Sequence, residues 1–243
     1  NTALRELIEE NGRVVGVVVE TGGRLKRIFA RHGVILAGGG FARNEEMRRQ
    51  YQPVGADWSA APPFDTGDSI IAGMKIGAAI ANMEGAWWIP VMLSPSGRRD
   101  FVVWERSLPG SIIVDQSGKR FANESESYSD FGRNMLSRDQ TVGAVPSWLI
   151  IDSRHRRRYM FGGMPGGYTP RSWIKEGYLI KERSLDDLAR RCGLPADELR
   201  NTVERFNRFA HNGFDEDFGR GSTEYDNYYG DPSNKPNPNL RPL

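Results

Sequence analysis

Two glycine-containing segments have the residue types that bind a polar cofactor. Residues 38–40 (GGG) follow an apolar run, and residues without a Cβ let backbone N–H groups approach a phosphate or a sugar where a helix begins. Residues 66–68 (TGD) combine a hydroxyl, an open backbone position and a carboxylate just before a second apolar pattern. A tight turn and an ordinary helix cap need the same residue types, so each segment keeps a structural explanation beside the functional one.

A polar segment with one aromatic hydroxyl is the third candidate. Residues 123–130 (NESESYSD) contain Tyr128 and follow a strand-like run at residues 111–114 and a turn at residues 116–118. From the residue types alone, a solvated loop in which Tyr128 only packs is favoured over a chemical role.

Motifs of several enzyme classes do not occur in the sequence. It has no GxGxxG, GxxxxGK[ST] or HExxH, and its three histidines, His32, His155 and His211, lack metal-ligand spacing. The single cysteine, Cys192, excludes an internal disulfide and a CxxC site. No GxSxG is present, although a serine triad without that motif stays open. We therefore expect no metal and no P-loop chemistry.

Size and charge narrow the class of partner. With 243 residues the chain has room for one or two domains. A formal net charge of +2 is too small to supply the positive field that nucleic-acid binding needs, so no nucleic acid partner is expected. No apolar run approaches the roughly 20 residues that span a bilayer, and no charged-then-apolar leader opens the chain. We expect a cytoplasmic protein with no transmembrane segment.

Hydrophobic patterning predicts the elements that position the first two segments. Valine-rich residues 13–20 and residues 25–31 flank a Gly-Gly pair, which predicts a β-hairpin. Residues 33–37 (GVILA) predict a short buried strand that leads into the glycines, and Asn44 is a suitable cap for the helix after them. Apolar spacing predicts a second helix that runs from the TGD segment to about Met83.

The sequence pattern changes near residues 86–90 to short strand-like pieces separated by loops, which predicts a domain boundary there. Beyond it, short strands are predicted at residues 111–114 and 148–152. Capping residues and apolar spacing predict two helices, across residues 184–193 and 195–213, that pack as a hairpin. After the second helix no periodicity remains, which predicts a loop or linker.

Longer stretches of the sequence resemble one enzyme family. Residues 34–41 (VILAGGGF) and residues 66–68 (TGD) are similar to motifs of the fumarate reductase/succinate dehydrogenase flavoprotein superfamily. Residues 118–125 (GKRFANES) with Tyr128, and residues 225–240, which include YDNYYGDP and KPNPNL, resemble its 3-oxosteroid 1-dehydrogenase (3-ketosteroid dehydrogenase) branch. The resemblance covers nearly the whole chain.

The resemblance implies an α/β part followed by an α+β part. Residues 1–88 would be the C-terminal part of the first segment of a Rossmann-like FAD-binding domain, with a β-hairpin, a strand and a helix. Residues 89–243 would be an incomplete, mixed α+β catalytic domain that caps the substrate. On this template the chain is an internal fragment, because an upstream GxGxxG and a downstream glycine-rich stretch are missing. The isolated fragment is then expected to hold FAD weakly and to be inactive.

The resemblance also implies a reaction and its residues. FAD would be the cofactor and a 3-ketosteroid the substrate, with the electron acceptor left open. A proton would leave carbon 2 of ring A for Tyr128, and a hydride would leave carbon 1 for the flavin. The FAD contacts carried over by their position in the motifs are Ala37, Gly38, Gly39, Thr66, Gly67 and Asp68.

Three alternatives remain open at the level of sequence. A fumarate reductase-like enzyme would use an arginine as the acid on a dicarboxylate, and the chain has many arginines. A related flavoprotein would desaturate a steroid at another ring position. The chain could also act only as a non-catalytic binding module, which ligand binding without turnover would reveal.

Overall fold

The computed structural model describes residues 2–243, which divide into two compact units. One unit ends at Ala86 and the other begins at Trp87. Each unit has its own sheet and helices.

The first unit contains a three-stranded antiparallel sheet in the order β1-β2-β3. Its strands are β1 (Ala3–Glu10), β2 (Arg13–Thr21) and β3 (Arg24–Phe29). The predicted hairpin of β2 and β3 is confirmed, and β1 is a further strand. Asn11, Gly12, Gly22 and Gly23 all have positive φ, so both connections are two-residue turns whose twist suits a hairpin.

Residues 33–37 do not form the buried strand that the sequence predicts. The chain is irregular there, and Ile35 and Leu36 are 94% and 41% exposed. A buried strand needs neighbouring strands that complete its hydrogen bonds and cover its side chains. Within residues 2–243 the sheets pair other segments only. The prediction was wrong for this structure, because within residues 2–243 the apolar run has no sheet partner to bury it.

The helix after the glycines begins where the sequence predicts. α1 (Glu45–Tyr51) is capped by Asn44, whose Oδ1 accepts the N–H of Met47 at 3.0 Å. Met47 is buried and fixes the inner face of this short helix. A single 3-10 turn follows at Ala56–Trp58.

The second helix of this unit is shorter than predicted. α2 (Asp68–Lys75) begins at the TGD segment but ends well before Met83. Gly77 has φ +86°, its N–H donates to the carbonyl of Met74, and the next N–H donates to the carbonyl of Gly73. These two bonds form a Schellman motif, which ends the helix.

The second unit combines short antiparallel strand pairs with helices. The strands are β4 (Val91–Leu93), β5 (Arg99–Phe101), β6 (Ser111–Val114) and β7 (Trp148–Ile151). β4 pairs with β5, and β6 pairs with β7, so the strands predicted near residues 111–114 and 148–152 are confirmed as β6 and β7. The helices are α3 (Trp104–Ser107), α4 (Tyr128–Asp139), α5 (Ser153–Arg158), α6 (Arg171–Lys175), α7 (Leu185–Cys192), α8 (Ala196–Asn212) and α9 (Glu224–Tyr228). Among residues 2–243 no helix is both long and apolar enough to cross a membrane.

The largest apolar core of the second unit lies between the β6–β7 pair and the α7–α8 hairpin. Ile112 of β6 and Leu199 of α8 are fully buried in one cluster of apolar side chains. Ser184 caps α7, and Gly193 and Gly213 end α7 and α8 with φ of +71° and +78°. The predicted helical hairpin is confirmed.

The segment after Phe214 is more ordered than the loop or linker that the sequence predicts. It contains α9 and buries polar side chains, among them Asp215, Arg220 and Asp226. These side chains find hydrogen-bond partners inside the unit, as buried polar groups must. The prediction was wrong because periodicity reports buried apolar side chains, whereas this segment is held by buried polar ones.

His155 of α5 is a fully buried titratable side chain. Its Nε2–H donates to the carbonyl of Glu105 at 3.2 Å, and its ring packs edge-on against Tyr159. Its Nδ1 has no hydrogen-bond partner within residues 2–243. Burial lowers the pKa of His155 to about 4, against about 6.5 for a histidine in an unfolded chain.

Acidification is expected to destabilise the second unit through His155. Because its folded pKa lies below its unfolded pKa, the unfolded chain binds more protons, and the free energy of unfolding falls as the pH drops from 6.5 to 4. The full loss is on the order of 3 kcal/mol. Urea unfolding of the wild type and of His155→Gln at several pH values measures it. The two unfolding free energies should converge or cross as the pH falls and keep a constant difference above pH 7; parallel curves throughout would contradict the assignment.

Candidate functional site

The glycine segment lies on the surface of a cleft in the first unit. The cleft has a volume of about 430 Å³, within the range of small-molecule and cofactor sites. Ala37, Gly38 and Gly39 line one part of it and are exposed. Ser69 of α2 and the alanine-rich residues 78–81 also line it. The small side chains leave the backbone of the glycine segment within reach of a ligand.

Packing beneath the turn explains why its residues are glycines. Gly39 has φ +81°, and a Cβ there would lie 2.7 Å from Oδ1 of Asp65. A Cβ on Gly38 would overlap Oγ of Ser69. The Asp65 carboxylate also accepts the N–H of Ala42 at 3.4 Å. The lower side of the turn is therefore filled, while its outer side is open to the cleft.

The TGD segment shapes the start of α2 and does not line the cleft. Gly67 is the N-cap, with φ +80°, and is buried against the side chain of Met47. Thr66 Oγ1 donates to Oδ1 of Asp68 at 2.9 Å, which ties the two polar side chains together. The structure thus gives Thr66, Gly67 and Asp68 a role in the turn, and their contact with FAD stays a prediction.

Tyr128 is the first residue of α4 in the second unit and is half-buried. Ser127 caps this helix, since its Oγ accepts the N–H of Asp130 at 3.2 Å. The backbone N–H of Tyr128 faces the hydroxyl of Tyr225 on α9. The solvated loop that residue types favour is wrong for this segment, because residues 123–125 are buried and Tyr128 begins a helix.

Buried charges hold the segment that leads to Tyr128. Arg120 donates to the two oxygens of Glu124 at 2.8 and 2.7 Å and to those of Asp215 at 3.1 and 2.7 Å. Arg220 lies 3.4 Å from Glu124. Burial alone would raise the pKa of Glu124, but the two guanidinium groups hold it below its usual value. Glu124 is therefore a paired anion and not a proton donor.

The phenol ring of Tyr225 belongs to a row of packed aromatic rings. The rings of Tyr225 and Tyr229 lie 5.3 Å apart, and those of Tyr229 and Trp104 lie 5.5 Å apart, both edge to face. Trp104 is 60% exposed. Burial raises the pKa of Tyr225, so this phenol is held in its neutral form.

These groups suit hydrogen bonding and proton transfer. The cleft offers backbone groups and one hydroxyl to a polar ligand, and Tyr128 offers a phenol that can move a proton. In the part of the chain that the structure describes, no three His, Cys, Asp or Glu side chains group where they could hold a metal ion.

Sequence analysis missed two residues that shape the cleft. Ser69 follows the TGD segment directly and lies in the first turn of α2, which was an available signal. Asp65 gave no such signal, because its carboxylate reaches the glycine turn only through the tertiary fold.

Comparisons with known proteins point to one family. A family model described as FAD binding domain matches residues 1–243. The chain is 47% identical, over 99% of its length, to the 3-oxosteroid 1-dehydrogenase of Mycolicibacterium smegmatis, and it covers 44% of that protein. It is 37% identical, over 97% of its length, to the 4-oxocyclohexanecarboxylate 2-dehydrogenase of Sinomonas cyclohexanicum, of which it covers 41%.

A solved structure has the same fold along the chain. The crystal structure of 3-ketosteroid delta1-dehydrogenase from Sterolibacterium denitrificans in complex with 1,4-androstadiene-3,17-dione matches with a TM-score of 0.93 and 40% identity. The match covers 100% of this chain and 45% of the other. The chain thus has an FAD-binding fold of mixed α and β content and spans less than half the length of these relatives.

Replacing Gly39 by alanine is expected to destabilise the first unit more than replacing Gly77 by alanine. Both glycines have positive φ, +81° and +86°, so the backbone strain is similar, about 1–2 kcal/mol at either position. At Gly39 the added Cβ would also meet a carboxylate oxygen at 2.7 Å, whereas nothing lies within 4 Å at Gly77. Thermal unfolding of the two variants measures the difference. Equal losses would show that Asp65 moves aside freely.

Proposed function

Because the chain belongs to the FAD binding domain family, we propose that it is part of an FAD-dependent dehydrogenase that desaturates ring A of 3-ketosteroids. The proposal concerns the whole protein, since the chain covers less than half of the matched relatives. The match to the steroid-complexed dehydrogenase over the full chain is the observation that carries it. The finer fold belongs to the proposal as well: residues 1–88 end a Rossmann-like FAD-binding segment, and residues 89–243 form the domain that caps the substrate.

The cleft of the first unit supports FAD as the ligand. Its exposed backbone at Ala37, Gly38 and Gly39 admits oxygen atoms of a ligand without interference from a bulky side chain. Ser69, beside Gly38, adds a hydroxyl to the lining of the cleft. Contact of Thr66, Gly67 and Asp68 with FAD belongs to the proposal as well, and the same residues keep α2, with Ser69, in place beside the glycines. When bound, FAD supplies the acceptor for the hydride.

Tyr128 is assigned the removal of the proton. The ring ketone acidifies carbon 2, and Oη of Tyr128 takes the proton from that carbon. A hydride leaves the adjacent carbon 1 for the flavin. A double bond then forms between carbons 1 and 2, and the steroid is oxidised by two electrons. Its half-buried position at the start of a helix leaves the phenol partly accessible to a substrate.

The position at the start of a helix stabilises a phenolate by too little free energy to make a phenol an effective general base. A phenol with an ordinary pKa near 10 is about 0.1% ionised at pH 7, and closing this gap takes roughly 4 kcal/mol. The N-terminal end of a helix favours a negative charge by about 0.3–1 kcal/mol. Other groups around the phenol must therefore supply most of the stabilisation.

A monocyclic ketone acid is the second candidate substrate. The match to the 4-oxocyclohexanecarboxylate 2-dehydrogenase favours it, and its chemistry also removes hydrogens beside a ring ketone. Dye reduction by the full-length protein, with either compound and an artificial electron acceptor, separates the two. A higher kcat/KM for the 3-ketosteroid supports the main proposal, and a higher value for the monocyclic acid replaces it. Ligand binding without dye reduction would support a non-catalytic module.

Tyr128→Phe is expected to lower the rate of dehydrogenation strongly and to leave the visible spectrum of the bound flavin intact. The phenylalanine ring keeps the packing at the start of α4, but no hydroxyl remains to take the proton. Losing a general base lowers kcat/KM by roughly 100- to 10,000-fold. Steady-state dye reduction with a 3-ketosteroid measures the loss. Tyr168→Phe, at a tyrosine of the same unit that is 58% exposed, should keep wild-type turnover; normal turnover by Tyr128→Phe would remove Tyr128 from the mechanism.

A further inference from the structure

Arg106 of α3 is a buried cation bound to main-chain carbonyls. Its side chain has no exposed surface. Nε donates to the carbonyl of Val102 at 3.0 Å, Nη2 donates to that of Glu126 at 2.8 Å, and Nη1 donates to that of Glu124. The guanidinium carbon also lies 4.9 Å from the centre of the Phe131 ring, over its face.

These contacts lie on both sides of Tyr128 in the chain. Glu124 and Glu126 belong to the segment that leads into α4, and Phe131 lies within the first turn of that helix. Arg106 therefore joins α3 to the residues before Tyr128 and to the residues after it.

The neighbouring buried arginines differ in that each also reaches a carboxylate. Arg120 forms ion pairs with Glu124 and Asp215, and Arg220, which donates to main-chain carbonyls as well, forms one with Glu124. At Arg106 the hydrogen bonds in the described residues go to carbonyls instead, and burial lowers its pKa to about 10. A buried charge is stabilised only by well-placed partners. The guanidinium and the carbonyls consequently fix each other.

We propose that Arg106 is a positioning residue for Tyr128. It holds the carbonyls on one side of Tyr128 and the aromatic ring on the other, and so sets where the phenol stands during proton transfer. The inference rests on the proposed function, which gives Tyr128 its part in the reaction. Removing Arg106 should therefore slow turnover without weakening the binding of substrate or flavin.

Two substitutions separate positioning from folding. Arg106→Met removes every donor while keeping a long apolar stem, and Arg106→Lys keeps the charge but not the planar set of donors. In the full-length, FAD-loaded protein, kcat with a 3-ketosteroid should fall about 100-fold in Arg106→Met, because a small misplacement of a catalytic group has an effect of that order. The kcat of Arg106→Lys should fall less than that of Arg106→Met. In both variants KM should stay within about twofold of the wild-type value, and the flavin spectrum should not change.

A matched control addresses general destabilisation. Val203 is buried in the core of α8, and Val203→Ala removes apolar packing without touching the residues around Tyr128. Its melting temperature should fall while its kcat stays at the wild-type value. A fall in kcat for Val203→Ala as large as that for Arg106→Lys would overturn the proposal, since any loss of stability would then suffice.

Amide hydrogen exchange gives a readout that does not depend on activity. Amides of residues 126–131 should exchange faster in Arg106→Lys than in the wild type or in Val203→Ala. In a Tyr128→Phe background, Arg106→Lys should cause no further loss of kcat. Unchanged exchange, or full additivity of the two substitutions, would overturn the positioning role. If the wild type turns over no ketosteroid, the proposed function fails, and the exchange measurement still decides whether Arg106 holds the start of α4.

Discussion

The structure of the second unit depends on the pairing of the buried charged side chains around Glu124. A buried carboxylate is tolerated only when cations and hydrogen bonds replace its hydration, and Arg120 and Arg220 do so here. The same guanidinium of Arg120 reaches Asp215, so one cluster joins two distant parts of the chain. Buried ion pairs therefore fix the segment that carries Tyr128 more than apolar burial does.

Capping residues and glycines in the sequence predicted the helices whose first or last residue depends on a single side chain. Asn44 and Ser184 cap their helices, and Gly193 ends α7, as their types indicate. Two further local signals were present in the sequence. Asn11 followed by glycine is a strong hairpin signal and marks the β1–β2 turn, and Gly77 marks the end of α2.

The parts that could not be predicted depend on partners far away in the sequence. The apolar pattern of residues 33–37 indicates a buried strand, but burial requires neighbouring strands that a pattern cannot supply. Polar residues such as Asp215 suggest a solvated segment until their ion pairs are known. Arg106 is the clearest case for the site, because an arginine on a short helix is ordinarily exposed and its carbonyl partners lie in another segment. Residue types thus singled out the glycine turn, and the family resemblance singled out Tyr128, but neither indicated the groups that hold them.

The distance between the partners in the sequence sets an order of events on the ribosome. α7 and α8 are consecutive elements, so their hairpin can form as soon as it leaves the exit tunnel, because its contacts are local. Arg120 and Asp215 are 95 residues apart, and the charges around Glu124 stay incompletely paired until that later stretch has emerged. A nascent chain that stalls earlier leaves those charges uncompensated, and such a chain is a target for chaperones and proteases rather than a reservoir of partly folded protein.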